Sequence, residues 1–347
     1  MRVSLLTDIP VMTLTKKIGT KLYKETKYFG RDIGHLLGFD ENFFRDARGC
    51  RMVIYHGVCL KDHTRFNPIF IKLKTLEKHF QFYKKYFNVI SINDFYEQKF
   101  SKDKFNICIT FDDGYANNHK YVLYLLSEYQ LPATFFITAI RNEGFDILWN
   151  DFLGMVQMYG PKRLYYKDQW FYKNRFNQYV SEQNGEKFVE MLRSGGFDVK
   201  QEMMNLLYPL APYRDSKPDN EDYWLQMTPQ QIRELSLSPF TTIGSHGYYH
   251  NDLARINIDD ASQEMVRSRQ YLENITDQPV NSLAFPYGSY NSDVILAAKS
   301  AGYSQLLCMD FHSAEELNDP AMNERFTVNP FINTLNQMRA TVTRSYE

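Results

Sequence analysis

Two adjacent carboxylates, Asp112 and Asp113, stand directly after the apolar run of residues 107–111, and Gly114 follows them. Like charges at the end of a buried strand repel each other unless a cation offsets the repulsion. One carboxylate can then bind a divalent metal ion while the other acts on a metal-bound water molecule. The alternative is an Asp-Asp-Gly turn without chemistry, which is common in loops.

A pair of histidines, His246 and His250, provides a second signal of metal binding. Their spacing of four residues predicts that both imidazoles project from one helical turn and reach one metal ion. The pair alone is weak evidence, because neighbouring histidines are often surface residues. With one aspartate it forms a set of two histidines and one carboxylate, which leaves positions open for water and substrate. Such a set favours a catalytic metal over a structural one.

These residues lie at the ends of short apolar segments that alternate with amphipathic helices along the chain. The alternation predicts parallel strands in an α/β fold, either a barrel or a doubly wound sheet. In such folds, functional groups collect at the carboxyl ends of the strands. Four predicted strand ends carry polar or ionisable residues: His56, the pair Asp112 and Asp113, the pair His246 and His250, and Tyr287.

The alternation is interrupted between residues 141 and 224, where Tyr, Asn, Gln, Lys and Met are frequent. We predict three parts: an N-terminal helical extension at 1–50, a main domain formed by 51–140 and 225–335, and a mostly helical insertion at 141–224. Trp149, Trp170 and Trp224 lie in the insertion, where they either stack on sugars or anchor buried helices.

Composition argues against several classes of protein. The 347 residues contain 40 Lys and Arg against 41 Asp and Glu, so no basic excess indicates nucleic-acid binding. The four cysteines form no CxxC pair, which argues against a zinc knuckle or a redox motif.

The N-terminal sequence predicts a cytoplasmic protein, because Asp8 and Pro10 interrupt the apolar core that a signal peptide requires. No apolar run is long enough to span a membrane. Residues 14–29 have the pattern of an amphipathic helix, which either docks on the main domain or associates weakly with a membrane surface.

Three motifs, in order, resemble those of the polysaccharide deacetylases, carbohydrate esterase family four. Residues 110–114 read TFDDG and match the first motif, 244–250 read GSHGYYH and keep both histidines of the second, and 284–288 read AFPYG and keep Pro-Tyr-Gly of the third. Gly247 replaces the Ser or Thr of the second motif. The resemblance implies a TIM-like, irregular (β/α)7-type barrel over the main domain.

The resemblance also implies a role for each motif residue. Asp112 would be the general base, and Asp113, His246 and His250 would bind a divalent metal ion, with zinc expected. The backbone N–H of Tyr287, together with the metal, would stabilise the oxyanion. The implied reaction is the hydrolysis of an acetamide on an amino sugar of a polysaccharide or glycan precursor.

Two features depart from the family. The third motif lacks the arginine that normally orients the base Asp112. The last motif, a strand ending in the acid histidine, is absent from the C-terminus, but residues 53–56 (VIYH) have its form. The first and last strands of a closed barrel are neighbours, so His56 resembles the general acid of the permuted branch that includes poly-N-acetylglucosamine deacetylases. His312, with Asp310 as its orienting partner, is the alternative acid.

Three functions are therefore open. The first is a metal-dependent carbohydrate deacetylase, for which a cytoplasmic location favours a lipid-linked precursor as substrate. The second is a catalytically inactive carbohydrate-binding barrel, which the missing arginine suggests. The third is a hydrolase of another amide, such as a formamido sugar.

Overall fold

The fold is seen in a computed structural model, which describes residues 41–65, 68–210 and 218–346. The predicted N-terminal extension falls mostly outside these residues, and so does the amphipathic segment 14–29. Of the extension, the structure describes the end, which contains a helix at Glu41–Asp46. None of the helices in the described ranges is both long enough and apolar enough to cross a bilayer.

Thirteen strands are present in the described part of the chain. They are β1 (Cys50–Tyr55), β2 (Val58–Cys59), β3 (Ile71–Lys72), β4 (Asn88–Val89), β5 (Asn106–Phe111), β6 (Ala133–Ile137), β7 (Arg163–Tyr166), β8 (Gln169–Lys173), β9 (Tyr179–Ser181), β10 (Thr241–Ser245), β11 (Ser282–Ala284), β12 (Gln305–Cys308) and β13 (Met322–Thr327).

Seven of these strands form a closed parallel barrel, so the predicted α/β barrel is confirmed. Around the barrel the order is β1, β13, β12, β11, β10, β6 and β5, and pairing of β1 with β5 closes it. The first and last barrel strands are therefore neighbours, with Val53 opposite Phe326. The end of β1, near the start of the described chain, therefore lies at the same carboxyl edge of the barrel as the ends of β5 and β10.

Twelve α-helices lie in the described residues; most of them flank barrel strands and cover the outside of the barrel, whereas three belong to the insertion 141–224 between β6 and β10. They are Glu41–Asp46, Leu73–Tyr86, Ile92–Tyr96, Leu123–Tyr129, Trp149–Tyr159, Phe188–Arg193, Phe197–Leu207, Pro229–Ser236, Ile258–Thr276, Ser292–Ser300, Ala314–Leu317 and Thr334–Thr343. The helix Ile258–Thr276 matters most for the site, because it brings Glu264 beneath the loop that follows β10.

Side chains of β5 alternate between two buried layers, as period-two geometry requires. Ile107 and Ile109 pack in the large cluster between strands and outer helices. Cys108 packs with Phe136 in a smaller cluster inside the barrel. Both faces of the strand are therefore buried, which explains the uninterrupted apolar run in the sequence.

The region between β6 and β10 has its own buried cluster, in which Trp149 and Trp224 are anchors. It contains more helix than strand, but it also contains an antiparallel sheet of β7, β8 and β9 that the sequence analysis did not predict. The outward positions of this sheet hold Tyr165 and Trp170, both about half exposed, in place of polar residues. Because aromatic side chains occupy both faces, the alternation that reveals an amphipathic strand is lost. The domain boundaries themselves stay a prediction.

Candidate metal centre

Asp113, His246 and His250 converge at the carboxyl edge of the barrel. The Asp113 Oδ1 atom lies 3.3 Å from His246 Nε2 and 3.2 Å from His250 Nε2. All three side chains are buried, and one ligand atom from each lies within 4.8 Å of the others. Two ligands of a tetrahedral Zn²⁺ ion, each about 2.1 Å from it, lie about 3.4 Å apart. The two distances from Asp113 Oδ1 to the imidazole nitrogens therefore match the spacing of ligands in such a site.

The backbone after β5 aims both aspartates at the same place. Asp113 has a φ of 75° and Gly114 a φ of 77°, so the chain turns sharply instead of continuing the strand. A Cβ atom on Gly114 would lie 2.9 Å from Ile137 Cγ2 and 3.3 Å from the Ile137 Cα atom, which leaves no room for a side chain. The Asp-Asp-Gly sequence is therefore the form that this turn requires.

The two histidines do not lie on a helical turn, so that part of the sequence analysis is wrong. β10 ends at Ser245, and an irregular loop carries both histidines. The loop bends because Gly247 and His250 adopt positive φ values of 74° and 57°. Glu264 holds its backbone, accepting bonds from the N–H groups of residues 248 and 249 at 3.1 and 2.9 Å. In this loop, as in a helix, two histidines four residues apart can direct their imidazoles to one point.

Hydrogen bonds hold both imidazoles with Nε2 directed toward Asp113. His246 Nδ1 lies 2.8 Å from the Ala284 carbonyl oxygen, and this contact requires a proton on Nδ1. His250 Nδ1 lies 3.0 Å from the Tyr287 hydroxyl. When each Nδ1 donates its proton in this way, each Nε2 lone pair is available to a metal ion.

Electrostatics support a cation at this point. Burial on its own raises the pKa of Asp113, but hydrogen bonds from His246 and His250 outweigh it and hold that pKa well below its usual value. Burial lowers the pKa of His246, but the charges of Asp112 and Asp113 outweigh it and the net shift is upward. The buried carboxylates thus attract positive charge, which a divalent ion would supply.

Asp112 makes a two-pronged ion pair with an arginine that the sequence analysis missed. Arg325 Nη1 and Nη2 lie 2.7 and 2.8 Å from the two carboxylate oxygens, and both side chains are buried. Burial raises the pKa of Asp112, but the Arg325 charge outweighs it and the net shift is downward. Arg325 projects from β13, whereas the family motif carries its arginine near the position of Phe285.

Arg325 could have been found only by recognising β13 as a barrel strand. The segment MNERFT has two charged residues and reads as a surface strand, but its neighbour in the barrel is β1, which ends beside the site. The segment itself carries no sequence signal that Arg325 points into the barrel.

The structure places His56 near the carboxylates and His312 elsewhere. His56 follows β1 and is half-buried. Burial lowers its pKa, whereas the nearby charges of Asp113 and Asp112 raise it, and the net shift is downward. His312 is exposed and stacks on the Tyr290 ring, with centroids 4.3 Å apart. Its acid role therefore lacks support from geometry.

Tyr287 contributes through its hydroxyl, which the sequence analysis did not anticipate. Its ring packs edge-on against His250 at 4.7 Å, and its φ of 60° places it in the left-handed region. Asp113, His250 and Tyr287 thus all have strained backbones, and such strain is concentrated at functional sites. The proposed oxyanion role of the Tyr287 N–H stays a prediction.

Comparisons with known proteins show which family sequence model the chain matches. Residues 99–158 and 217–306 match the sequence model of the family described as polysaccharide deacetylase. A search of curated protein sequences finds no significant match to the chain.

Solved structures share the fold at low sequence identity. The deacetylase PplD of Streptococcus pyogenes, in complex with acetate, has a TM-score of 0.53 and 15% identity, over 84% of this chain and 97% of that chain. A polysaccharide deacetylase of Bacillus cereus has a TM-score of 0.51 and 15% identity, over 84% and 68%. IcaB of Ammonifex degensii has a TM-score of 0.50 and 12% identity, over 86% and 98%. At these identities the likeness shows the fold.

Proposed function

We propose that this protein, which carries a polysaccharide deacetylase domain, removes acetyl groups from an N-acetylated amino sugar in a polysaccharide or glycan precursor. One observation carries the proposal: Asp113 Oδ1 lies within 3.3 Å of both imidazole Nε2 atoms, and a second carboxylate stands beside it. Asp112 Oδ2 is 3.9 Å from His246 Nε2, so this carboxylate borders the same centre.

Asp113, His246 and His250 would hold a divalent ion, with zinc expected from two imidazoles and one carboxylate. When bound, the ion would polarise the acetamide carbonyl and lower the pKa of a water molecule. The three residues are the donors that the protein supplies, and their hydrogen bonds to Ala284 and Tyr287 keep the two rings in position.

Asp112 would take the proton from the attacking water. A general base must be ionised before the reaction, and the Arg325 charge favours the carboxylate form of Asp112. The two-pronged contact also leaves the carboxylate little freedom to rotate. Arg325 is therefore a positioning residue for the base.

His56 would donate a proton to the departing amine. As the C–N bond of the acetamide breaks, the sugar nitrogen takes this proton, and acetate and a free amine are the products. A general acid must carry its proton before the reaction; burial lowers the pKa of His56 and disfavours that form, whereas the charges of Asp113 and Asp112 favour it. The Tyr287 N–H would donate to the oxyanion that develops on the carbonyl oxygen. The cytoplasmic location and a lipid-linked substrate also stay proposals.

Mass spectrometry of N-acetylated oligosaccharides incubated with the zinc-loaded protein tests the proposal. Chitin-type and lipid-linked substrates should be compared with each other and with formamido sugars. We expect a product that has lost one acetyl group, together with acetate, and no product with Asp112→Asn. Release of formate alone would support the other amide hydrolase. Sugar binding without any turnover would support the inactive barrel.

A further inference from the structure

The candidate metal ligand His250 and the two residues after it, Asn251 and Asp252, are each bound by a different side chain of the insertion 141–224. The pairs are Trp149 with His250, Lys200 with Asn251, and Arg193 with Asp252. The loop belongs to the barrel, because it directly follows β10. The insertion therefore contacts the barrel directly at the candidate metal centre.

The first contact acts on the backbone of the ligand. The Trp149 indole Nε1 donates to the carbonyl oxygen of His250 at 3.0 Å, and the tryptophan is fully buried. Because His250 has a φ of 57°, its peptide lies in an orientation that few non-glycine residues adopt. Such a conformation persists only where its surroundings hold it. The Trp149 bond is one such restraint.

The second contact joins the insertion to a helix of the barrel through Asn251. Lys200 Nζ donates to Asn251 Oδ1, and Asn251 Nδ2 donates to Glu264 Oε2 at 2.8 Å. Lys200 is fully buried, and Glu264 and Asn251 are 2% exposed, so solvent screens this chain of bonds very little. Asn251 is thereby held from both sides, immediately after the ligand.

The third contact reaches the ligand by a second route. Arg193 Nη2 lies 2.6 Å from Asp252 Oδ2, and the same guanidinium lies 4.5 Å from the centre of the Tyr287 ring. The Tyr287 hydroxyl is 3.0 Å from His250 Nδ1. Arg193 is thus connected both to the loop after His250 and to the residue that orients its imidazole.

We propose that Trp149, Lys200 and Arg193 are positioning residues of the metal centre, and that the insertion is required for its full metal affinity. The inference rests on the proposed function only in taking His250 as a ligand. It assigns to the insertion a part in assembling the site, in addition to any contact it makes with substrate.

Zinc affinity, measured by competition with a chromophoric chelator, tests this proposal. Trp149→Phe removes the indole donor and keeps an aromatic ring, so we expect the Zn²⁺ Kd to rise by about tenfold, as is typical when a partner that orients a ligand is lost. Trp170→Phe is the matched control, because Trp170 is half exposed and lies on the outer face of the small sheet. Its Zn²⁺ Kd should equal that of the wild-type protein.

Lys200→Met gives an independent test, matched by Lys167→Met, whose lysine pairs on the surface with Glu202. Arg193→Lys is a third variant. With three variants, the proposal can still be tested if one of them fails to fold. The absorption spectrum of the Co²⁺-loaded variants should change as the His250 ring moves. A role in stability alone would lower the Tm of the metal-free protein and leave metal binding unchanged.

Zn²⁺ Kd values of the folded variants within about twofold of wild type, with unchanged Co²⁺ spectra, would overturn the inference. Failure of the proposed function is a distinct result: the wild-type protein itself would then bind no zinc, or would bind zinc without deacetylating any glycan.

Discussion

The barrel and the insertion contribute to the candidate site in different ways. The barrel supplies the three candidate ligands and the second carboxylate, Asp112, at the ends of β5 and β10. The insertion supplies none of these ligands, but it binds the carbonyl of His250 and the two residues that follow it. The comparison teaches that ligands follow short motifs at strand ends, whereas the residues that hold them come from distant segments without a motif.

The largest expected effect is on Zn²⁺ affinity, and it should distinguish the candidate ligand Asp113 of the barrel from an aspartate of the insertion. In Asp113→Asn one anionic donor is lost, so we expect the Zn²⁺ affinity to fall by more than about 100-fold, beyond the loss typical of residues that only orient a ligand. Chelator competition measures it, with Asp222→Asn as the matched control, because Asp222 is an aspartate of the insertion whose carboxylate binds Lys120 and Tyr121. Equal affinities for the two variants would remove the distinction between the regions.

The next effect concerns the two rival acids of the barrel. In His56→Gln the departing amine would lack its proton donor, so we expect kcat to fall by about 10²- to 10⁴-fold with metal binding retained. His312→Gln, at an exposed position, should keep wild-type kcat. Steady-state kinetics on an N-acetylated glycan decides between them, and a large loss in the His312 variant alone would reverse the assignment.

Arg325 should affect both stability and the pH profile. Arg325→Met leaves the buried Asp112 carboxylate unpaired, which lowers the free energy of unfolding by about 3–5 kcal/mol. Without the Arg325 charge, burial raises the pKa of Asp112, so the base stays protonated to higher pH and the acid limb of kcat/KM moves upward.

Urea unfolding and a pH series of kcat/KM measure these two effects of Arg325. Arg51→Met is the control, because Arg51 donates to the Thr341 carbonyl, outside the site. An acid limb that stays in place in a folded Arg325→Met protein would contradict the positioning role.

The smallest effect concerns His79, which lies on the helix Leu73–Tyr86 and is buried in the hydrophobic core. Its Nδ1 is 2.9 Å from the Tyr55 hydroxyl, and burial lowers its pKa to about 3. The unfolded chain therefore takes up the proton first as the pH falls below about 6.5, and at pH 5 this costs about 2 kcal/mol of stability. Above that range the contribution is fully present.

Urea unfolding at pH 7 and pH 5 measures the His79 contribution. His79→Gln cannot take up this proton, so its stability should fall less between the two pH values, by about 2 kcal/mol. An unchanged slope in the His79 variant would show that this histidine does not couple folding to pH.

The candidate ligand set could be proposed from the sequence because its signals are local. Asp112 and Asp113 follow a fully buried strand, and the sharp turn at Asp113 and Gly114 directs both side chains to the barrel edge. The alternation of apolar segments and amphipathic helices predicted parallel strands, whose carboxyl ends meet at one edge, and the resemblance to polysaccharide deacetylases implied the barrel. His56 could be placed for a related reason, because β1 and β13 are neighbours in a closed ring.

Features that depend on pairing between distant segments could not be predicted. Arg325 is 213 residues from Asp112, and nothing in its own segment indicates a partner. The helical turn expected for the histidine pair fails because Gly247 and His250 adopt left-handed conformations, which the spacing does not reveal. The sheet of the insertion was missed because Tyr165 and Trp170 occupy its outer face.

A crystal of the protein soaked in zinc, measured at the zinc absorption edge, tests the central claim most directly. The account predicts one anomalous peak between Asp113, His246 and His250, about 2.0–2.2 Å from Oδ1 and both Nε2 atoms. It also predicts that Asp112 stays paired with Arg325 beside the ion. A peak at another place, or no peak at this centre in zinc-saturated crystals, would contradict the assignment of these residues to a catalytic metal site.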